Sequence, residues 1–217
     1  MMLAIDRLDV DIERTRILRG VSLGLDKGRM AGLVGRNGAG KTTLMRAIMG
    51  LIKPASGSVR INGADVTVEP AHGRARLKIG YMPEDRRLIP ELTVEENLLV
   101  PSWALGKEDA SARLAWVYKL IPEVAAFAKR RALQLSGGQQ KLVALGRALM
   151  VGEQLMLLDE PFEGIAPALA QRLIEVLHSI KSEGMSILLS ESDYSHSAGL
   201  VEKLFVIERG EVQERSQ

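Results

Sequence analysis

Gly35-Arg36-Asn37-Gly38-Ala39-Gly40-Lys41-Thr42 sets glycines, a lysine and a hydroxyl in the spacing G-x-x-x-x-G-K-[ST]. Such a loop can cradle a chain of phosphates. Its glycines let the backbone curl until several N–H groups point into one concavity. A helix that starts there adds the partial positive charge of its N-terminus. Lys41 would reach the β- and γ-phosphates of a nucleotide, Thr43 would lie beside them, and the Thr42 hydroxyl would sit on Mg²⁺. A plain glycine turn before a helix could share these residues, but the flanks favour the cradle. Met30-Ala31-Gly32-Leu33-Val34 reads as a buried strand, and Lys41–Met49 reads as a helix stopped by Gly50.

Two other segments could do chemistry. In Leu155-Met156-Leu157-Leu158-Asp159-Glu160, a buried strand delivers two carboxylates at its C-terminal end. Asp159 would hold the Mg²⁺ that bridges the phosphates, and Glu160 would polarise the attacking water as general base. Taken alone, Asp159 reads equally well as a helix cap. Leu135-Ser136-Gly137-Gly138-Gln139-Gln140 is a glycine-rich loop that opens a helix. It is either a second anion cradle or an ordinary cap made by Ser136.

The elements that must position these groups follow from periodicity. Leu3–Val10 and Val21–Leu25 read as alternating strands around a charged turn. Ser58–Val66 reads as a hairpin with a type I′ turn at Asn62-Gly63. Lys78–Met82 is a further strand, ended by Pro83. From Glu84 to Met150 the pattern is helical throughout. Thr93-Val94-Glu95-Glu96 is a capping box, Asp109–Ile121 is a helix ended by Pro122, and Gln139–Met150 is a helix with Leu142, Leu145 and Leu149 on one face. Strands return at Leu155–Leu158, Met185–Leu189 and Leu204–Glu208. A helix between the first two opens on Pro167 and stops at Gly184. Strands alternating with helices predict an α/β layer structure with a largely parallel sheet.

Composition narrows the function classes. The chain has 217 residues and a net charge of +2, too small an excess to imply affinity for nucleic acid or lipid. Three Tyr, three Phe and two Trp are too few for a base-stacking surface. With no cysteine there is no thiolate or disulfide chemistry. No signal peptide is read in Met1–Gly20, and no apolar run approaches the ~20 residues that span a bilayer.

The Ser136–Gly138 loop, some twenty residues before the Asp-Glu pair, resembles the signature of ATP-binding cassette (ABC) ATPases. The resemblance implies an α/β fold with a phosphate-loop NTPase (RecA-like) core, an antiparallel β subdomain and a helical insertion at about residues 85–150. It covers residues 1–217 as one nucleotide-binding domain that hydrolyses ATP with Mg²⁺. In that family the signature loop of one subunit meets the γ-phosphate held by another. The implied assembly is a head-to-tail dimer, homo- or hetero-, with Glu163-Gly164-Ile165-Ala166 at the crossing D-loop. Tyr81-Met82-Pro83-Glu84-Asp85-Arg86-Arg87, Thr93–Leu98, Trp116–Leu120 and Asp159–Pro167 are similar to the LivF-like ATPases of branched-chain amino acid and urea importers. Transmembrane permease subunits docking near Glu84–Pro101, and a place on the cytoplasmic face of the inner (plasma) membrane, are implied with it. No nucleic-acid partner is expected, and membrane contact would run through the permease. A soluble non-transport ABC ATPase and a weakly active regulatory module are the rival readings.

Three positions depart from the family pattern. Glu84 stands where a glutamine is usual, and would join Thr42 and Asp159 at the metal. Ser192, in Ser190-Glu191-Ser192-Asp193, stands where a switch histidine is usual. A serine can donate to the γ-phosphate without a charge, so slow hydrolysis that still requires Glu160 is expected. His196, four residues on, could substitute, although a lone histidine is more often structural. Ile12 falls where an aromatic ring would stack on adenine. Lacking a π-face, it forfeits about 1 kcal/mol. An Ile12→Tyr variant should therefore bind ATP more tightly or discriminate better against GTP; equal affinities for both nucleotides in the two proteins would contradict this.

Overall fold

The computed structural model describes residues 1–106, 110–193 and 195–215. Two sheets organise it. The first is antiparallel, in the order β2-β1-β4-β5, from β1 (Leu3–Ile12), β2 (Thr15–Leu25), β4 (Ser56–Ile61) and β5 (Ala64–Asp65). Along β1 the apolar residues fall at Leu3 and Ile5, then at Leu8 and Val10, so the two-residue alternation slips once. The slip is a bulge at Arg7, with φ of 43°, which returns Leu8 to the buried face. Opposite it, Gly57 packs so closely that a Cβ there would lie 2.3 Å from the Arg7 carbonyl oxygen. The Asn62-Gly63 turn has φ of 51° and 85°, as its type I′ reading requires.

The second sheet has six strands in the order β10-β9-β3-β8-β7-β6: β3 (Met30–Val34), β6 (Ile79–Met82), β7 (Leu155–Asp159), β8 (Ser186–Glu191), β9 (Lys203–Glu208) and β10 (Glu211–Arg215). All pairs but β9–β10 are parallel. The central strands are apolar on both faces because both faces are covered. Ala31, Leu33, Leu155, Leu157 and Leu188 face α1 (Lys41–Ile48) and the antiparallel sheet. Met30, Met156, Leu158, Ile187 and Leu189 face the helices on the other side. Those helices include α6 (Gly137–Leu149) and α7 (Pro167–Ser182), which buries Ala170, Leu173, Val176, Leu177 and Ile180.

Between β6 and β7 run α3 (Val94–Ala104), α4 (Ser111–Leu120), α5 (Pro122–Ala126), a 3₁₀ turn at Ala132–Gln134, and α6. Thr93 caps α3 as predicted: its Oγ1 accepts from Glu96 N at 3.2 Å, and Glu96 Oε2 accepts from Thr93 N at 2.7 Å. Pro122 does more than end a helix, since it opens α5. Asp109, the expected start of the preceding helix, lies outside the described residues. The strand expected from Val21 begins at Thr15, because pairing with β1 organises polar residues that periodicity alone leaves in the turn.

One short helix, α2 (Ala71–Ala75), has no sequence signal, and its role rests on Arg74. That side chain is 1% exposed. Its guanidinium donates to Ala47 O at 2.8 Å and Ile48 O at 2.5 Å, the last carbonyls of α1, and to Thr67 O and Glu69 O. It serves as the C-terminal cap of the helix that follows the phosphate loop. Arg74→Met, which strands these acceptors, should destabilise the fold by about 3 kcal/mol; chemical denaturation showing a loss under about 0.5 kcal/mol would contradict the capping role.

Candidate functional site

Strand order makes the site. β3, β8 and β7 are neighbours, so their carboxyl ends lie side by side, and each continues into a segment that sequence reading marked. β3 runs into Gly35–Thr42, β8 into Glu191-Ser192, and β7 into Asp159-Glu160. Gly35 N donates to Glu191 O at 3.1 Å, tying the loop to β8. A Cβ at Gly35 would meet Ile207 O at 2.3 Å, so only glycine fits. Gly38 and Gly40 hold φ of 81° and 114°. α1 starts without a side-chain cap and without an acid in its first turn, which leaves its N-terminal N–H groups for an anion.

The cleft at this edge, of about 450 Å³, is lined by Ile17, Asn37, Gly38, Gly40, Lys41, Thr42, Thr43, Glu84 and Glu160. Gly35, Arg36 and Ala39 face a second hollow behind the loop, against Val206–Arg209. Ile12 sits near the β1–β2 turn, 42% exposed, and does not line the cleft. The aliphatic wall belongs to Ile17, which sequence reading missed. Ser136, Gly137 and Gly138 also lie off this cleft. Ser136 caps α6, accepting from Gln139 N at 3.3 Å, while Gln139 Oε1 accepts from Ser136 N at 3.0 Å.

Lys41 and Glu160 form a buried ion pair at 3.1 Å, each 5% exposed. Lys41 Nζ also donates to Gly35 O and to Arg36 O at 3.2 Å. Glu160 has φ of 49°, the left-handed region that L-residues enter at a cost. Ser192 clasps it twice: the backbone N–H donates to Oε2 at 3.1 Å, and Oγ lies 3.0 Å from Oε1. Oγ is also 2.8 Å from Asn37 Oδ1 and, with one proton, serves one oxygen at a time. His196 stacks on Phe162, with ring centroids 5.2 Å apart, beside a smaller hollow that Glu160 and Ser192 also line.

Asp159 is fully buried. Its Oδ1 accepts from Ser190 Oγ at 2.7 Å, and its Oδ2 has no partner. Burial pushes its pKa up, and the Ser190 hydrogen bond and the nearby Thr42 hydroxyl oppose that. Glu84 accepts from Thr42 Oγ1 at 3.5 Å, and burial with the nearby Asp159, Glu163 and Glu160 pushes its pKa up too. A bare carboxylate oxygen, a threonine hydroxyl and a crowd of like charges form an all-oxygen set that suits a hard divalent cation. Other contacts had no sequence signal. Arg147 donates to Arg86 O at 2.5 Å and Arg87 O at 2.6 Å, and Arg86 Nη1 to Gln140 Oε1 at 3.0 Å, fastening the Glu84 loop to α6.

The family model described as ABC transporter matches residues 18–163. The chain belongs to the ABC transporter family. It is an ATP-binding, ATP-hydrolysing subunit of that family. The cassette is similar to the high-affinity branched-chain amino acid transport ATP-binding protein BraG of Pseudomonas aeruginosa, 35% identical, covering 97% of this chain and 91% of BraG. It is 32% identical to a probable LivF of Archaeoglobus fulgidus, covering 97% and 90% of the two chains. The lipopolysaccharide export ATP-binding protein LptB of Acidithiobacillus ferridurans is 30% identical, covering 92% and 83%. Among solved structures, an ABC transporter cassette in its ADP conformation superposes with a TM-score of 0.87 at 28% identity, covering 100% of this chain and 91% of that one. A dimeric post-hydrolysis cassette bound to ADP and Pi gives 0.90 at 25%, covering 99% and 98%. The fold is the α/β cassette that the sequence implied.

At the end of β8 the cassette buries one more carboxylate, Glu191, which accepts from Ser197 Oγ. Burial pushes its pKa up from 4.5 to about 7, with Glu160 and Asp193 adding to the shift. The native state then holds this proton more tightly than the unfolded chain does. This group's contribution to stability falls as pH rises from 4.5 to about 7 and is level above. Glu191→Gln should stabilise the cassette by ~1–3 kcal/mol at pH 8 and change little near pH 4; an equal effect at both pH values, by thermal or urea unfolding, would contradict it.

Proposed function

We propose that this cassette powers a membrane importer by hydrolysing ATP in the Gly35–Thr43 cleft, with residues 1–217 acting as one nucleotide-binding unit and about 85–150 as its helical subdomain. The observation that carries the reading is Glu160, held beside the phosphate loop by Lys41 and both donors of Ser192. Glu160 accepts a proton from the water that attacks the γ-phosphorus. Lys41 exchanges its contacts with Gly35 O and Arg36 O for the phosphate oxygens. The loop N–H groups and α1 hold the remaining negative charge. The backbone N–H of Ser192 keeps Glu160 aimed, and its hydroxyl would donate to the γ-phosphate. Thr42 and Asp159, with Glu84 beside them, would hold Mg²⁺, which neutralises phosphate charge when bound. Ile17 would supply apolar cover near the base.

Ser136, Gly137 and Gly138 lie off this cleft, which suits a loop that serves a partner subunit's ATP. The dimeric relative supports such pairing. The permease would meet the segment near Glu84–Pro101, whose ties to α6 let it respond to nucleotide state. Among the described residues no helix is long and apolar enough to cross a membrane, which fits attachment through a permease on the cytoplasmic face. BraG and LivF support a branched-chain amino acid or a related amide as cargo. LptB relatives make an exported lipid the alternative.

Glu160→Gln should lower kcat by about 10²–10³-fold and leave ATP affinity nearly unchanged, since it removes the base and keeps the shape. Ser192→Ala should cost about tenfold. Wild-type turnover in Glu160→Gln would overturn the assignment of the base. In proteoliposomes with its permease, leucine uptake that needs ATP supports the cargo reading, and ATP-driven turnover stimulated by lipid alone overturns it.

A further inference from the structure

Lys141 is a buried lysine that none of the steps above uses. It is 2% exposed and sits on α6, one turn beyond the Ser136 cap. Its ammonium donates to Glu160 O at 2.9 Å, to Pro161 O at 3.3 Å and to Glu163 O. The three N–H donors therefore meet three carbonyls of a single turn. Among the described residues no carboxylate lies within ion-pair distance of it. Burial lowers its pKa, as does Arg86, while Glu163, Glu160 and Glu84 oppose. A cation buried on carbonyls alone does little that an apolar side chain would not do for packing. Its location is specific: the turn begins at Glu160, whose φ of 49° needs outside support, and runs on to Glu163 and Gly164.

We propose that Lys141 is a positioning residue that locks the helix bearing Ser136–Gly138 to the turn bearing Glu160, so that engagement of the partner's ATP by that loop sets the aim of this chain's own base. The inference rests on the roles proposed above for Glu160 and Ser136. α6 is a continuous helix from Gly137 to Leu149, so a shift of its first turn carries Lys141 with it. A saturated ammonium has no spare donor to absorb the shift, so the turn follows. The same turn leads into Glu163-Gly164-Ile165-Ala166, so one contact reaches the base and the segment that faces the partner.

A double-mutant cycle on kcat between Ser136→Ala and Lys141→Met tests this, with ATP affinity measured in parallel. Each single variant should lose about tenfold in kcat, Lys141→Met at unchanged ATP affinity, and Lys141→Arg should recover most of its loss. The double variant should be no slower than the slower single. Losses that multiply, or a Lys141→Met enzyme with wild-type kcat, would overturn the inference. If Lys141→Met does not fold, Lys141→Gln, which keeps a donor, enters the same cycle with the same criteria. Glu160→Gln run alongside separates the two layers. If it stays active the base assignment fails. If it is inactive while Lys141→Met equals wild type, only the positioning role fails.

Discussion

Crowded negative charge at one sheet edge governs this cassette. Burial and the charges of Asp159, Glu163 and Glu160 push the Glu84 pKa up, burial and Glu160 push that of Asp159 up, and Asp159 and Glu160 are almost fully buried. Like charges so placed need compensation. Within the chain the sole ion pair to this group among the described residues is Lys41 to Glu160, and Asp159 keeps a bare oxygen. A nucleotide that takes Lys41 away would leave Glu160 on Ser192 alone, while a cation with the nucleotide would serve Asp159. A nucleotide and its cation would complete the charge balance that the side chains at this edge leave open.

The remaining structure keeps that edge rigid. The order β3-β8-β7 sets three strand ends in a row, and apolar cores on both faces fix their pitch. Arg74 caps the helix that follows the phosphate loop, and Arg147 with Arg86 ties the Glu84 loop to α6. Arg74 and Arg147 spend their donors on backbone carbonyls and Arg86 bonds the Gln140 side-chain amide, so shape at the site is held by cations that need no acidic partner. A scaffold of this kind adds no further carboxylates to an edge already crowded with them.

Much of this was legible in the sequence because it is local. Strand and helix periods, the Thr93 capping box, the Asn62-Gly63 turn and the phosphate loop each declare themselves within a dozen residues. What was hidden depends on residues far apart. The Arg7 bulge that restores alternation in β1 needs its partner strands. Arg74, Arg147 and Lys141 look like ordinary helix-surface cations until their distant carbonyls are in place. Ile17 rather than Ile12 lines the cleft, because strand pairing carries β2 back to Thr15 and turns Ile17 inward. Ser190 and Ser192 differ only by register: the first meets Asp159 and the second Glu160.

A shared ATP site would take Lys41 and Glu160 from one chain and Ser136–Gly138 from another. ATPase activity of mixed dimers tests it most directly. Chains carrying Glu160→Gln and chains carrying Ser136→Arg should each be inactive when paired with themselves. In the mixed dimer both defects fall in one site and the other site keeps its base and its signature loop, so hydrolysis should return at least in part. A mixture that stays as inactive as its two parents, while still forming dimers, would contradict the account.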